Sequence, residues 1–313
     1  MQLIIGTRGS ALALWQANFI KSSLEKLHPT LSVSLQIFKT RGDHILDRPL
    51  SEVGGKGLFT KELEDALLEG DIHLAVHSLK DMPTRLPEGL VLGAIPQRAD
   101  VRDVLIFRQG EHFDQAKVIG TSSLRRACLA QRRWNQAQIQ SIRGNVPTRM
   151  KKIYPEQSQE NHTATHPDAV LLAMAGILRL ELHEEEQYDY LPLNPENWIP
   201  AVSQGALAIE CREGDQVVLD LLAPLHHHAT AACVTAERNF LAAVEGDCRV
   251  PVGAWATYDE GTLRLKAFIG SVDGTEYFEY TALGQDAEIL GQQVAQHVLQ
   301  AGGKEVLDAL RQC

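Results

Sequence analysis

Nine arginines and a single lysine lie between Arg98 and Arg149, in a chain whose net charge is -10. Several of the arginines fall in two turn-rich stretches, GTSSLRR (120–126) and RGNVPTR (143–149). A guanidinium keeps its charge and offers a planar fork of donors that matches a carboxylate or phosphate, whereas lysine supplies a mobile point charge. Arg125, Arg126, Arg143 and Arg149 stand beside Gly, Ser and Asn, where backbone amides are also free to point at an anion, so these four read as an anion site. Arg132 and Arg133 lie further into a helical stretch and read as a solvated face.

Cys248 sits in EGDCRVPVG (245–253), between Gly246 and Pro251. That context is an irregular turn, where a thiol can carry a covalent group. Cys128, Cys211 and Cys233 fall on helix or strand patterns and read as small buried hydrophobes, and Cys313 is a tail residue. A thiol hydrolase needs a histidine base, and none accompanies Cys248 locally. Asp81, in HSLKDMP after an apolar run, reads either as a turn residue before Pro83 or as a fixed carboxylate for proton and charge handling. His226, His227 and His228 are adjacent and so point in different directions. With no acidic or cysteine partner at ligand spacing, they are not assigned a metal. His77 is left without a role.

The elements that must position these groups follow from periodicity and punctuation. Leu3 to Ile5 read as a buried strand, residues 6–9 as a loop, and Ser10 as the cap of a helix with Leu14, Trp15, Ile20, Leu24 and Leu27 on its apolar positions, ended by His28 and Pro29. The plan of strand, Gly-Thr, hydroxyl residue and helix recurs at Lys117 to Trp134, which suggests two similar α/β halves, each with an anion-ready helix N-terminus. Residues 72–76 form a strand whose C-terminal loop carries Asp81, as ligand-binding loops do in open α/β sheets. A new strand runs over 90–95, and residues 96–103 cross into the second half. The chain returns near 195–200. Beyond Leu221 the pattern becomes a helix (230–244), strands at 252–257 and 263–269, an Asp273-Gly274 turn, another strand and a final helix from Ala287, which is a separate α+β unit. Residues 151–168 are polar, proline-punctuated and aperiodic, and read as an exposed insertion.

At 313 residues, two or three domains are expected. Hydrophobic residues at 44% and charged residues at 22% describe an ordinary globular protein. The acidic balance argues against a nucleic-acid binder. The N-terminus shows no basic leader with an apolar core, and the run at 169–178 is about half the ~20 residues that span a bilayer. Five unpaired-looking cysteines suit a reducing compartment. A cytoplasmic location without membrane contact is the expectation.

Over essentially its full length the sequence resembles the porphobilinogen deaminases, also called hydroxymethylbilane synthases. The residues that carry this are TRGSALALWQA from Thr7, KTRGD from Lys39, VGGKGLFTKELE from Val53, AVHSLKDMPT from Ala75, GTSSLRR from Gly120, RGNVPTR from Arg143, PAVSQGALAIECR from Pro200 and EGDCRVPVG from Glu245. It departs from the family pattern in the long polar segment before Asp168 and in Ser203, where glycine is more common before QG. The resemblance implies an α/β fold of two domains like type II periplasmic binding proteins plus a smaller C-terminal α+β domain. The implied bounds are 1–98 with 200–217, 101–197 and 222–313, with the cleft between domains and hinges near 98–102 and 197–204. It implies a transferase with a dipyrromethane cofactor held by a thioether to Cys248; nothing in the sequence demands more than a monomer, and a monomer is the expectation. That primer receives four porphobilinogen molecules head to tail, each losing ammonia, before hydrolysis releases hydroxymethylbilane. By the same matching Asp81 is catalytic. Lys80, Thr121, Ser122, Ser123, Arg125, Arg126, Arg143 and Gly144 join Cys248 in binding cofactor, and Arg8, Ser10, Lys56, Phe59, Arg149 and Gln204 bind substrate. The rival from another class is a non-catalytic polycarboxylate-binding protein, which accounts for the arginines but not for Cys248 or Asp81.

Overall fold

The opening apolar run becomes β1 (Gln2–Arg8), which continues well past Ile5. The loop expected from Gly6 is therefore reduced to Gly9 and Ser10. Gly6 pairs with Gln36 and Ala75 on the flanking strands, and a Cβ there would meet Ile72 Cδ1 at 2.3 Å. This glycine serves close packing inside a strand, a use that looks like a turn signal in sequence. The computed structural model describes residues 2–40, 42, 57–111, 117–154, 166–245 and 250–312. The chain divides into one unit of Met1–Ala99 with Ser203–Val234 and another of Asp100–Val202 with Thr235–Cys313.

In the first unit, β1, β2 (Ser32–Phe38), β3 (Leu74–Ser78), β4 (Leu90–Ala94) and the returning β10 (Leu207–Arg212) form one sheet in the order β2-β1-β3-β10-β4. β1 is parallel to β2 and β3, and β10 runs antiparallel to β3 and β4. Ile72 was expected to start β3, but its amide still bonds the Ala66 carbonyl at the exit of the preceding helix, so the strand opens at Leu74. Side chains alternate between faces. Helix Ala11–Leu27, capped by Ser10 as the sequence indicates, covers one face through Ala17, Ile20 and Leu24 against Leu3, Ile5 and Leu74. Helix Lys61–Glu69 covers the other with Leu63 and Leu67 against Ile72, Ala75 and Leu90.

The second unit repeats this sheet. β5 (Asp103–Arg108), β6 (Val118–Gly120), β7 (Gln138–Gln140), β8 (Ala169–Ala173) and β9 (Tyr188–Pro192) are ordered β7-β6-β8-β5-β9. β5 is antiparallel to β8 and β9, so it occupies the place that β10 takes in the first sheet. The short similarity between the two strand–Gly-Thr–helix segments is thus part of a repeat of the whole α/β layer. The same unit holds an antiparallel meander, β11 (Val252–Asp259), β12 (Thr262–Gly270) and β13 (Tyr277–Gly284). The single final helix expected from Ala287 is two helices, Ala287–Val298 and Lys304–Gln312, broken where Gly302 turns to φ 126°. Among the described residues no single helix is long and apolar enough to cross a membrane.

Ser203, the departure from glycine noted above, is fully buried and has φ 60°. A side chain in the left-handed region is strained, so Ser203→Gly is expected to stabilise the fold by about 0.5 kcal/mol after glycine's own entropy cost. A rise in thermal unfolding temperature measures this, and an unchanged or lower value counts against strain at this residue.

Candidate active site

In the second unit, residues 121–123 link β6 to helix Leu124–Arg133. The amide of Ser123 donates to Thr121 Oγ1 at 3.1 Å, and Ser123 Oγ caps the helix by accepting from the Arg126 amide at 3.4 Å. Ser122 Oγ donates to the Ile142 carbonyl and lies 3.2 Å from Ser141 Oγ. The hydroxyl run is therefore wired to the segment between β7 and Arg143.

Arg125 and Arg126 follow at once, yet they are only 4% and 7% exposed, and both turn inward to Asp103 at the head of β5. Arg125 Nη2 reaches Asp103 Oδ2 at 2.7 Å, while Arg126 Nη2 and Nε reach Oδ1 at 2.8 and 3.0 Å. Trp198 Nε1 donates to the same carboxylate at 2.8 Å. Backbone carbonyls of Ile199 and Leu171 take one more donor from each arginine, at 2.9 and 3.0 Å. Two guanidiniums on one carboxylate leave a positive charge, and Arg125 Nε is buried without a hydrogen-bond partner. Burial pushes the Arg125 guanidinium below its ordinary range, opposed by the Asp103 charge and reinforced by that of Arg126. Asp103 was not singled out by sequence. The available signal was an acid opening the apolar run DVLIF, where a buried charge requires a partner. Replacing it, in Asp103→Asn, strands two buried cations and is expected to cost on the order of 3 kcal/mol. Urea unfolding measures this, and a loss below about 1 kcal/mol would place the pair in a solvated setting.

Gly144 has φ 114°, and a Cβ there would meet Thr148 Cγ2 at 2.6 Å. Its carbonyl accepts from Arg149 Nε at 2.7 Å, which ties Arg149 back onto the turn that carries Arg143. Asn145 caps the short helix Val146–Lys151 by accepting from the Thr148 amide. Arg132, read as a solvated charge, is exposed and also lies over the Tyr277 ring at 4.0 Å, donating to the Gly274 carbonyl. An arginine stem and plane can cover an aromatic face while remaining exposed.

In the first unit, Arg8 at the end of β1 lies 4.2 Å from the Phe59 ring centre, so two residues far apart in sequence are brought together. Ser10 Oγ accepts from the Ala13 amide at 3.3 Å. β3 runs into a 3-10 turn, Leu79–Asp81, which leaves Lys80 and Asp81 exposed at its end while Leu79 is buried. Gln204 is fully buried, and its carbonyl accepts from Arg98 Nε at 2.7 Å. His77, left without a role by sequence, pairs with Glu210 at 3.1 Å. His226 Nδ1 accepts from the Ile95 amide and His227 Nδ1 from the Thr230 amide, so these rings are engaged with backbone. Cys128 and Cys211 are fully buried and their thiols are pushed up to about 11 by burial, as small core residues. Lys56, Cys248 and most of the 151–168 insertion lie outside the described residues.

Residues 3–220 match the family model described as porphobilinogen deaminase, dipyromethane cofactor binding domain, and residues 231–300 match porphobilinogen deaminase, C-terminal domain. The chain belongs to the porphobilinogen deaminase family. It is 47% identical to porphobilinogen deaminase of Syntrophotalea carbinolica, covering 98% of this chain and 96% of that one. It is 41% identical to the Staphylococcus carnosus protein of the same name, covering 99% of each. Among solved structures it is similar to a substrate binding domain of a putative molybdenum ABC transporter from Clostridium difficile, at TM-score 0.44 and 8% identity over 73% of this chain and 93% of that one. The two five-stranded sheets, each with one antiparallel strand beside the third, give this porphobilinogen deaminase family member two α/β domains of matching strand order, and the meander with its helices forms the smaller C-terminal domain.

Proposed function

We propose that this chain is a monomeric, cytoplasmic transferase that deaminates porphobilinogen, joins four molecules head to tail and releases hydroxymethylbilane by hydrolysis. Family membership across nearly the whole chain supports the reaction. The observation that carries the ligand assignment is the buried pair Arg125 and Arg126 on the single carboxylate of Asp103, with Arg125 Nε lacking an acceptor. A dipyrromethane bears acetate and propionate groups and fits a site with surplus fixed cations. Bound through the Cys248 sulfur, it supplies the free α-carbon at which the first substrate unit is joined.

Lys80, Thr121, Ser122, Ser123, Arg125, Arg126, Arg143 and Gly144 hold its carboxylates, the arginines by charge and the hydroxyl turn by hydrogen bonds. Arg8, Ser10, Lys56, Phe59, Arg149 and Gln204 bind the incoming porphobilinogen. When the aminomethyl C–N bond of the substrate breaks, ammonia takes the electron pair and positive charge spreads onto the pyrrole nitrogen. The Asp81 carboxylate, at the exposed end of a buried strand, offsets that charge and accepts the proton displaced when the new carbon–carbon bond forms. On this reading the chain has three domains, 1–98 with 200–217, 101–197 and 222–313, and Cys248 belongs to the third.

Intact mass of the denatured protein, with peptide mapping around Cys248, tests the reading. An excess equal to two condensed pyrrole units on that peptide is expected. An unmodified mass that stays unmodified after incubation with porphobilinogen would overturn it.

A further inference from the structure

The first unit also buries acids that the reaction does not use. His77 pairs with Ala208 across the β3–β10 ladder and Glu210 with Ala75, so His77 and Glu210 are diagonal neighbours on one sheet face. His77 Nε2 stands 3.1 Å from Glu210 Oε2, with side-chain exposures of 5% and 0%. Helix Lys61–Glu69 packs on this same face through Leu63 and Leu67 and carries the buried Glu64. Two carboxylate oxygens of this layer, Glu64 Oε1 and Glu210 Oε1, are buried without a hydrogen-bond partner, and the hydroxyl of Thr60, one turn before Glu64, acts on the Glu64 carboxyl.

Two carboxylates and one imidazole cannot neutralise one another, and a buried acceptor without a donor is costly. Donors are what the layer lacks. A proton on Glu64 removes one charge and provides one O–H, and the Thr60 hydroxyl provides another. The charged groups that act on Glu64 are Glu210 on β10, His77 on β3 and Asp65 on its own helix. Among the described residues no three His, Cys, Asp or Glu side chains have metal-binding geometry. Burial raises the Glu64 carboxyl above its ordinary range, Glu210 and Asp65 add to this, and Thr60 and His77 oppose it.

We propose that Glu64 is a positioning residue, held in its protonated form beside Glu210 and His77, that seats the start of helix Lys61–Glu69 and with it Phe59 against Arg8 for binding porphobilinogen. The connection is short. Thr60 is the residue that starts the helix, and Phe59 beside it packs under the Arg8 guanidinium. Ionising Glu64 puts a second anion next to Glu210 in a layer of low dielectric and drives the helix off the sheet face. The link to porphobilinogen rests on the assignment of Arg8 and Phe59 made above, whereas the protonation of Glu64 does not.

Infrared spectroscopy of the cofactor-loaded enzyme tests the proton directly. A protonated-carboxyl stretch at neutral pH, shifting in heavy water and lost reversibly at alkaline pH, is expected in the parent and absent in Glu64→Gln. A parent without that band, or a band that survives in Glu64→Gln, overturns the proposal, and the parent spectrum decides even if the variant does not fold. In steady-state kinetics the parent KM is expected to rise about tenfold over the pH interval in which the band disappears, with no such rise in Glu64→Gln. Coincident KM profiles together with a raised KM in Arg8→Ala overturn the positioning role, whereas an unmoved KM in Arg8→Ala faults the assignment of Arg8 instead.

Discussion

Cys248→Ser is expected to yield a folded protein with no added mass and no detectable turnover. A serine hydroxyl is a far weaker nucleophile than a thiol near neutral pH, where a cysteine already has a fraction of thiolate. The thioether that anchors the primer therefore does not form, and without an anchored α-carbon no substrate unit has an acceptor. Three of the four remaining thiols are buried and do not substitute. Cys128 and Cys211 are fully buried with thiols pushed up to about 11, and Cys233 is buried in helix His228–Ala243. Intact mass separates the two possible causes of inactivity: a variant that carries the two-pyrrole excess but does not turn over would mean that Cys248 acts in condensation and not as the anchor. Normal turnover would remove it from the mechanism.

Asp81→Asn is expected to keep the covalent adduct while slowing turnover by about 10² to 10⁴, the range for losing a positioned acid–base or charge-stabilising group. The amide has nearly the same shape, so the 3-10 turn Leu79–Asp81 and the burial of Leu79 beneath it are preserved. What disappears is the negative charge and the capacity to take a proton at the end of β3. The effect should therefore fall on kcat, with KM for porphobilinogen within about threefold of the parent, because an interaction made only as charge develops is lost from the transition state alone. A turnover rate within about threefold of the parent would assign Asp81 to the turn. A large rise in KM with kcat retained would make it a binding residue.

Much of this molecule was legible in its residues. Ser10 and Ser123 cap the helices that follow them, the core cysteines lie in elements with apolar periodicity, and the C-terminal meander falls where alternating residues and the Asp273-Gly274 turn locate it. These features depend on neighbours within a few positions, so local chemistry specifies them. Errors arose where a local signal had a distant cause. Gly6 resembles a turn but makes room for Ile72, and Ile72 resembles a strand start but completes a helix exit.

The ordered motifs by themselves determined the family, and the arginine-rich stretches and the sequence around Cys248 pointed to carboxylate and thiol chemistry, because guanidinium, thiol and carboxylate reactivity belong to residue types and their immediate surroundings. Only the tertiary structure decided how those charges are spent. It set Arg125 and Arg126 on Asp103, a residue some twenty positions away along the chain, with Trp198 closing the same carboxylate. It also brought Glu64, His77 and Glu210 into one dry layer from a helix and two strands. The cost of a charge depends on burial and on which partners reach it, and those are properties of the folded chain that no spacing along the sequence contains.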